Sequence, residues 1–318
     1  MTETTNAMTT RVEETSSRAI SLDTLAHVEA LNRGRSGFGH ALRREFHQNK
    51  LFLVCAIYIA LVVVLALTAP LIAPYSPDSQ DLYTRLTTPS RDHWLGTDEV
   101  GRDTLSRMLY GGRVSLLIAF MSTLGSVSVG TAVGLISGYF GGRTDELVMR
   151  FLDMLYAFPG VLLAILIVSV LGASTINLVI ALVIWGAPTL ARIVRSSVLS
   201  LKRQEFVEAA HALGAGAPRI LTFHLLINCS APIIVYSSLS FAGSLLTAAS
   251  LGFLGLGAQP PTPEWGAMLS DARKYLLNAP HLGIYPGVAI FLTVLSFNVM
   301  GDAIRDALDP FTPKLASS

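Results

Sequence analysis

The sequence predicts an all-α integral membrane protein with six transmembrane helices and both termini in the cytoplasm. Three observations predict it. Of 318 residues, 51% are hydrophobic and only 14% charged, whereas an ordinary soluble domain carries about 25% charged residues. The mean hydropathy is correspondingly positive, at +0.53. Second, Asp, Glu, Lys and Arg are absent from 51–77, 114–142, 154–191, 220–263 and 275–301. Third, Lys and Arg gather in the segments that would share one side of a bilayer.

Taken in order, residues 1–45 are rich in Thr, Ser, Glu and Arg and read as a flexible cytoplasmic tail. A secretory signal would need an apolar run soon after a basic start. Here that run begins only near Leu51, so no cleavage is expected. A helix needs about 20 apolar residues to cross the hydrocarbon core. Four uncharged stretches therefore hold one span each, at 51–69, 114–139, 229–252 and 284–304. Stretch 154–191 is long enough for two, 154–172 and 176–194, with a turn at Gly172-Ala173-Ser174-Thr175. The resulting layout has a first helix with a long external loop in 46–112, a five-helix core in 113–310 and a short tail in 311–318.

This layout puts 16 of the 23 Lys and Arg residues on one side, and five of the other seven in one long loop if Arg113 at its end is counted. Long loops weigh little in that bias, so the rich side is assigned to the cytoplasm. Two external segments remain, about 74–112 and 257–283. Both exceed a simple turn and are candidates for function, while their Trp and Tyr residues serve equally well as interfacial anchors.

Ser126, Gly130, Gly134 and Gly138 recur every four residues. In lipid such a stripe lets two helix backbones approach, within the chain or against a partner. Ser237, Ser240, Ser244 and Thr247, spaced 3, 4 and 3, share a helix face. They could line a polar translocation path, or each hydroxyl could bond back to its own helix.

Several classes are excluded. Asp153 and Asp302 fall near span ends, so the midplane lacks the ionisable groups of a proton- or sodium-driven secondary transporter. No lysine lies in a phosphate-binding Gly-rich loop, and Gly252 to Gly257 has the wrong spacing. Cys55 and Cys229 give neither a disulfide framework nor a metal-ligand pattern, the seven histidines show no i,i+4 pair, and no catalytic site is found. A net charge of +1 offers nothing for nucleic acid. The energy for any transport must come from another chain.

One short charged stretch lies between two uncharged ones. Around 201–214, Ser200 suits an N-cap and Gly214, Gly216 and Pro218 a stop. Phe206, Ala209, Ala210 and Leu213 repeat at i, i+3, i+4 and i+7, giving one apolar face with Glu205 and Glu208 beside it.

Glu208-Ala209-Ala210, three residues and Gly214 resemble the EAA loop of ABC importer membrane subunits. In that family the loop continues to a hydrophobic-x-Leu-Pro ending. The corresponding residues are His224-Leu225-Leu226-Ile227, so Ile227 stands where Pro is usual, and Pro232 is the candidate for the bend. Leu95-Gly96-Thr97-Asp98, Gly101-Arg102-Asp103, Gly112-Arg113-Val114-Ser115-Leu116, Pro263-Glu264-Trp265-Gly266 and Gly301-Asp302 to Pro310 resemble the C-type permease of dipeptide and oligopeptide importers.

The resemblance implies a type I ABC importer permease fold and a non-catalytic subunit in the inner membrane of a prokaryote. It implies a partner permease of the B type, two ATPase subunits that hold ATP and Mg, and an extracytoplasmic binding protein. Glu205, Phe206, Glu208, Ala209, Ala210, Leu213 and Gly214 would form the coupling helix that docks on an ATPase. Di- or oligopeptides are the implied cargo, and nickel and glutathione importers share these permeases.

Overall fold

The computed structural model describes residues 49–308, so the expected tails at 1–45 and 311–318 lie outside the described residues. Residues 51–302 form one compact unit. Of the second unit, only residues 49–50 and 303–308, the outermost turns of two helices, are described.

Among the described residues, five helices are long and apolar enough to cross a membrane. They are α1 (Lys50–Ile72), α2 (Thr104–Phe140), α5 (Thr175–Leu201), α7 (Ser230–Phe253) and α9 (His281–Leu308). Between α2 and α5 lie α3 (Gly142–Tyr156) and α4 (Gly160–Leu171), which meet at 89°. This corrects the expected single helix over 154–172, and the pair makes a sixth span only as a broken one. Pro159 accounts for the break: it has no N–H to continue α3, and its ring disfavours the helical region for Phe158 before it. Pro159 itself is extended, with ψ 127°, and opens α4 from its N-cap position.

The turn before α5 forms where expected. Gly172 ends α4 at φ +93°, and Ser174 Oγ accepts from Asn177 N at 3.2 Å to cap α5.

The small-residue stripe resolves into a seam within the chain, between α2 and α5. A Cβ on Gly134 would sit 2.5 Å from the Ala191 carbonyl, and one on Gly130 2.7 Å from that of Ala187. On Gly138 it would meet Val198 Cβ at 2.8 Å. Gly186 of α5 answers from the other side against Ser126. Close backbone approach replaces the hydrophobic drive that lipid does not supply. At the Phe140 end, Lys202 Nζ donates to the Gly138 carbonyl at 2.7 Å. A cation is thereby placed on the orphan acceptors of a helix C-terminus.

At its other end α2 begins ten residues before the expected span. Asp103 caps it, its Oδ2 accepting from Ser106 N at 2.8 Å and Ser106 Oγ at 2.7 Å. The segment before it is pinned rather than loose. Asp98 binds Arg102 Nε at 2.6 Å and Arg107 Nε at 3.4 Å, and His93 Nδ1 meets Asp103 at 2.9 Å.

The segment 257–283 contains another short helix, α8 (Trp265–Ala272). Glu264 caps it, accepting from Gly266 N at 2.9 Å and Ala267 N at 2.8 Å. Its Oε1 also accepts from Ser115 Oγ of α2 at 2.9 Å. Trp265 donates from Nε1 to the Met108 carbonyl at 3.0 Å and is 3% exposed, which makes it a core residue and not an interfacial anchor. Gly111 and Gly112 leave room for its ring. Trp94, 69% exposed, keeps the interfacial option.

Candidate docking helix and polar layers

The short charged stretch forms α6 (Glu205–Ala212), beyond the Phe140 end of α2. The helix is shorter than 201–214, and its N-cap is Gln204, which makes no side-chain cap bond. Ser200 lies in the last turn of α5 instead. Gly214 has φ +81°, and the Ala215 N–H reaches back to the Ala210 carbonyl at 3.0 Å. That is the left-handed exit that favours glycine over any residue with a Cβ.

Val207 and Ala210 are buried, 1% and 7% exposed, against Leu190, Val194, Val198, Ile220 and Leu225. The face expected to be apolar is therefore split. Ala210 turns inward, while Phe206, Ala209 and Leu213 stay exposed, Leu213 at 89%. Glu205 and Glu208 lie open on the same outward side. A short helix thus uses two residues to seat itself and presents the rest.

Tyr139, in the last turn of α2, stacks on His211 with ring centroids 6.3 Å apart. Its hydroxyl lies 3.4 Å from His211 Nε2. Arg195 of α5 holds Asp145 of α3 in a bidentate pair, and Arg192 binds Asp153 at 2.6 Å. The guanidinium of Arg192 also sits 4.2 Å above the Tyr156 ring. Sequence periodicity cannot pair Tyr139 with His211, since they lie 72 positions apart.

The chain then climbs to α7 through Ala217–Asn228, whose middle, Ile220–Leu225, is π-helical. The axis breaks at Cys229, just before α7. Pro232 sits in the first turn of α7, where a missing N–H costs nothing. Ile227 is 58% exposed there.

The four hydroxyls of α7 stand within 237–247. Ser237 Oγ donates to the Ile233 carbonyl at 2.6 Å, and Thr247 Oγ1 to that of Gly243 at 2.8 Å. Ser244 receives a bond from Thr123 Oγ1 of α2 at 3.4 Å. Ser240 is half-buried and makes no side-chain bond among the described residues.

At the far end of α2, burial raises the carboxyl of Glu264 above the usual carboxylate range, and partial desolvation raises those of Glu99 and of Asp271 at the surface. Glu264 is 1% exposed. A Cβ on Gly252 would come 2.2 Å from its Oε2, so that glycine gives the carboxylate its place. Among the described residues no cluster of His, Cys, Asp or Glu converges to hold a metal ion.

Sequence comparison gives the class of this α-helical membrane bundle. The chain matches the family described as binding-protein-dependent transport system inner membrane component over residues 130–313. Residues 37–89 match the N-terminal TM domain of oligopeptide transport permease C. The chain therefore belongs to the family of ABC importer permeases, the multi-pass, non-catalytic membrane components of such systems.

Among its relatives is the dipeptide transport system permease protein DppC of Alkalihalophilus pseudofirmus. It is 47% identical over 84% of this chain and 88% of the relative. The glutathione transport system permease protein GsiD of Pectobacterium atrosepticum is 45% identical over 84% of this chain and 89% of its own. The fold resembles that of the MetNI methionine ABC transporter in an inward-facing conformation. That likeness has a TM-score of 0.52 at 19% identity, over 64% of this chain and 97% of the other.

Proposed function

We propose that the chain is one of two permease halves in an ATP-driven importer of di- or oligopeptides. The other half is a B-type permease. Two ATPase subunits, which hold ATP and Mg, dock on the cytoplasmic side, and a binding protein delivers cargo from outside the inner membrane of a prokaryote. Both termini then lie in the cytoplasm.

The observation that carries this reading is the outward face of α6. Phe206, Ala209 and Leu213 are exposed with Glu205 and Glu208, while Val207 and Ala210 hold the helix to the bundle. An apolar face without a partner among the described residues, fixed at the end of two tightly packed helices, suits a cleft on another protein. Force applied to α6 passes to the α2–α5 seam through Tyr139 and Val198. Ser237, Ser240, Ser244 and Thr247 are the proposed path-lining residues, with Ser240 the one whose hydroxyl remains open to cargo.

The identity to a permease named for glutathione, itself a tripeptide, supports a second reading of the cargo. The test is co-purification with the neighbouring subunits and ATPase assays with binding proteins loaded with peptide, glutathione or nickel. Stimulation by the peptide-loaded protein is expected. Stimulation by the nickel-loaded protein alone overturns the peptide reading. Gly214→Leu and Glu208→Lys should insert normally yet abolish transport; wild-type import with the ATPases bound would remove α6 from the coupling role.

A further inference from the structure

At the Thr104 end of α2 a small recess opens among charged side chains. It holds about 20 Å³ and is lined by Asp98, Glu99, Thr104, Arg107 and Asp271, with apolar walls from Met268 and Leu282. A volume of this size admits one atom centre of the size of water or ammonium.

Its charges are unevenly matched. Asp98 takes both Arg102 and Arg107. Glu99 shares Arg102, at 3.1 Å. Asp271, exposed at the mouth, forms no hydrogen bond or ion pair among the described residues, and neighbouring Lys274 does not close on it. Three carboxylates thus face two guanidinium groups. The third anion stands at the opening.

Thr104 supplies an independent sign of a ligand. It is 1% exposed, it lines the recess, and its Oγ1 has no hydrogen-bond partner among the described residues. A buried hydroxyl left unpaired costs free energy that a bound donor would recover.

We infer that this recess receives a single primary ammonium group, carried by a lysine of the protein that docks on this face. The inference rests on the importer reading above, which brings a binding protein to the side opposite α6. An ammonium has three donors and no acceptor, and Glu99, Asp271 and Thr104 Oγ1 offer three acceptors. A divalent metal would need convergent protein ligands, which are absent among the described residues.

The test uses the assembled importer in lipid nanodiscs and the peptide-loaded binding protein, with Kd measured against salt concentration. Asp271→Asn, at an exposed site, should weaken binding about tenfold and flatten its salt dependence. Thr104→Val should weaken it about threefold and leave the salt slope unchanged, because it removes a hydroxyl and no charge. Dimethylation of the binding protein's lysines keeps their charge but enlarges the head, and should weaken wild-type binding while leaving Asp271→Asn unaffected. A water-soluble carbodiimide should join a binding-protein lysine to Asp271 or Glu99. If wild type binds and Asp271→Asn and Thr104→Val bind equally well, the ammonium site is overturned and the importer reading stands. If no loaded binding protein binds wild type at all, both fall.

Discussion

The ring of Tyr139 lies parallel to that of His211, 6.3 Å between centroids with 12° between planes. The contact joins the last turn of α2 to the outward helix α6. Tyr139→Phe keeps the stack and loses the hydroxyl contact, whereas Tyr139→Ala loses both. Substrate-stimulated ATP hydrolysis by the assembled complex should fall about threefold in the first and about tenfold in the second. Equal stimulation in wild type and Tyr139→Ala would show that α6 communicates by another route.

The two sides of α6 should separate in mutagenesis. Val207→Ala removes buried methyl groups and should lower stability by about 2 kcal/mol, seen as a lower Tm in detergent. Leu213→Ala should leave Tm unchanged, since Leu213 is 89% exposed, yet reduce the ATPase retained on purification. The reverse pattern would contradict the assigned faces.

The α2–α5 seam is sensitive to a single methyl group. Gly134→Ala places a carbon 2.5 Å from the Ala191 carbonyl and should cost about 1–3 kcal/mol. Gly243→Ala is the matched control, because a Cβ there meets nothing within 4 Å. Thermal aggregation midpoints of the two variants read the difference directly.

Burial raises the Glu264 carboxyl above its ordinary 4.5, so the folded chain binds this proton more tightly than the unfolded chain does. The stability it contributes is complete below the unfolded value and is lost as pH rises through the folded one. Unfolding midpoints of wild type should therefore decline as pH rises above the ordinary carboxylate range, and those of Glu264→Gln should decline less. The amide also turns donors toward Ala267 N, so Glu264→Gln should be the less stable protein at pH 5. Parallel pH profiles would remove Glu264 as the source.

How much of this was legible in sequence follows from the range of each interaction. Uncharged length placed α1, α5, α7 and α9 to within a few residues, except for the extra turns at the Leu201 end of α5, because hydrocarbon thickness acts on every residue of a span. The Gly130, Gly134 and Gly138 stripe announced close packing but not its partner, which depends on α5 folding back. The break at Pro159 was legible in principle, since proline acts locally, but an uninterrupted apolar run from Met154 hid it. The face of α6 was mis-set because Val207 and Ala210 point at Val198 and Ile220, contacts invisible to helical periodicity. The same holds for Glu264: its role needs Ser115, 149 positions earlier.

The length of α2 has a mechanical consequence. Its 37 residues make a rod of about 55 Å, nearly twice the hydrocarbon thickness, with Asp103 fastening one tip and Lys202 the other. A rigid rod of that length that swings by about 10° about its middle carries each tip roughly 5 Å in opposite directions. Small rotations at the membrane centre are thereby amplified at both surfaces together, with no hinge needed inside α2.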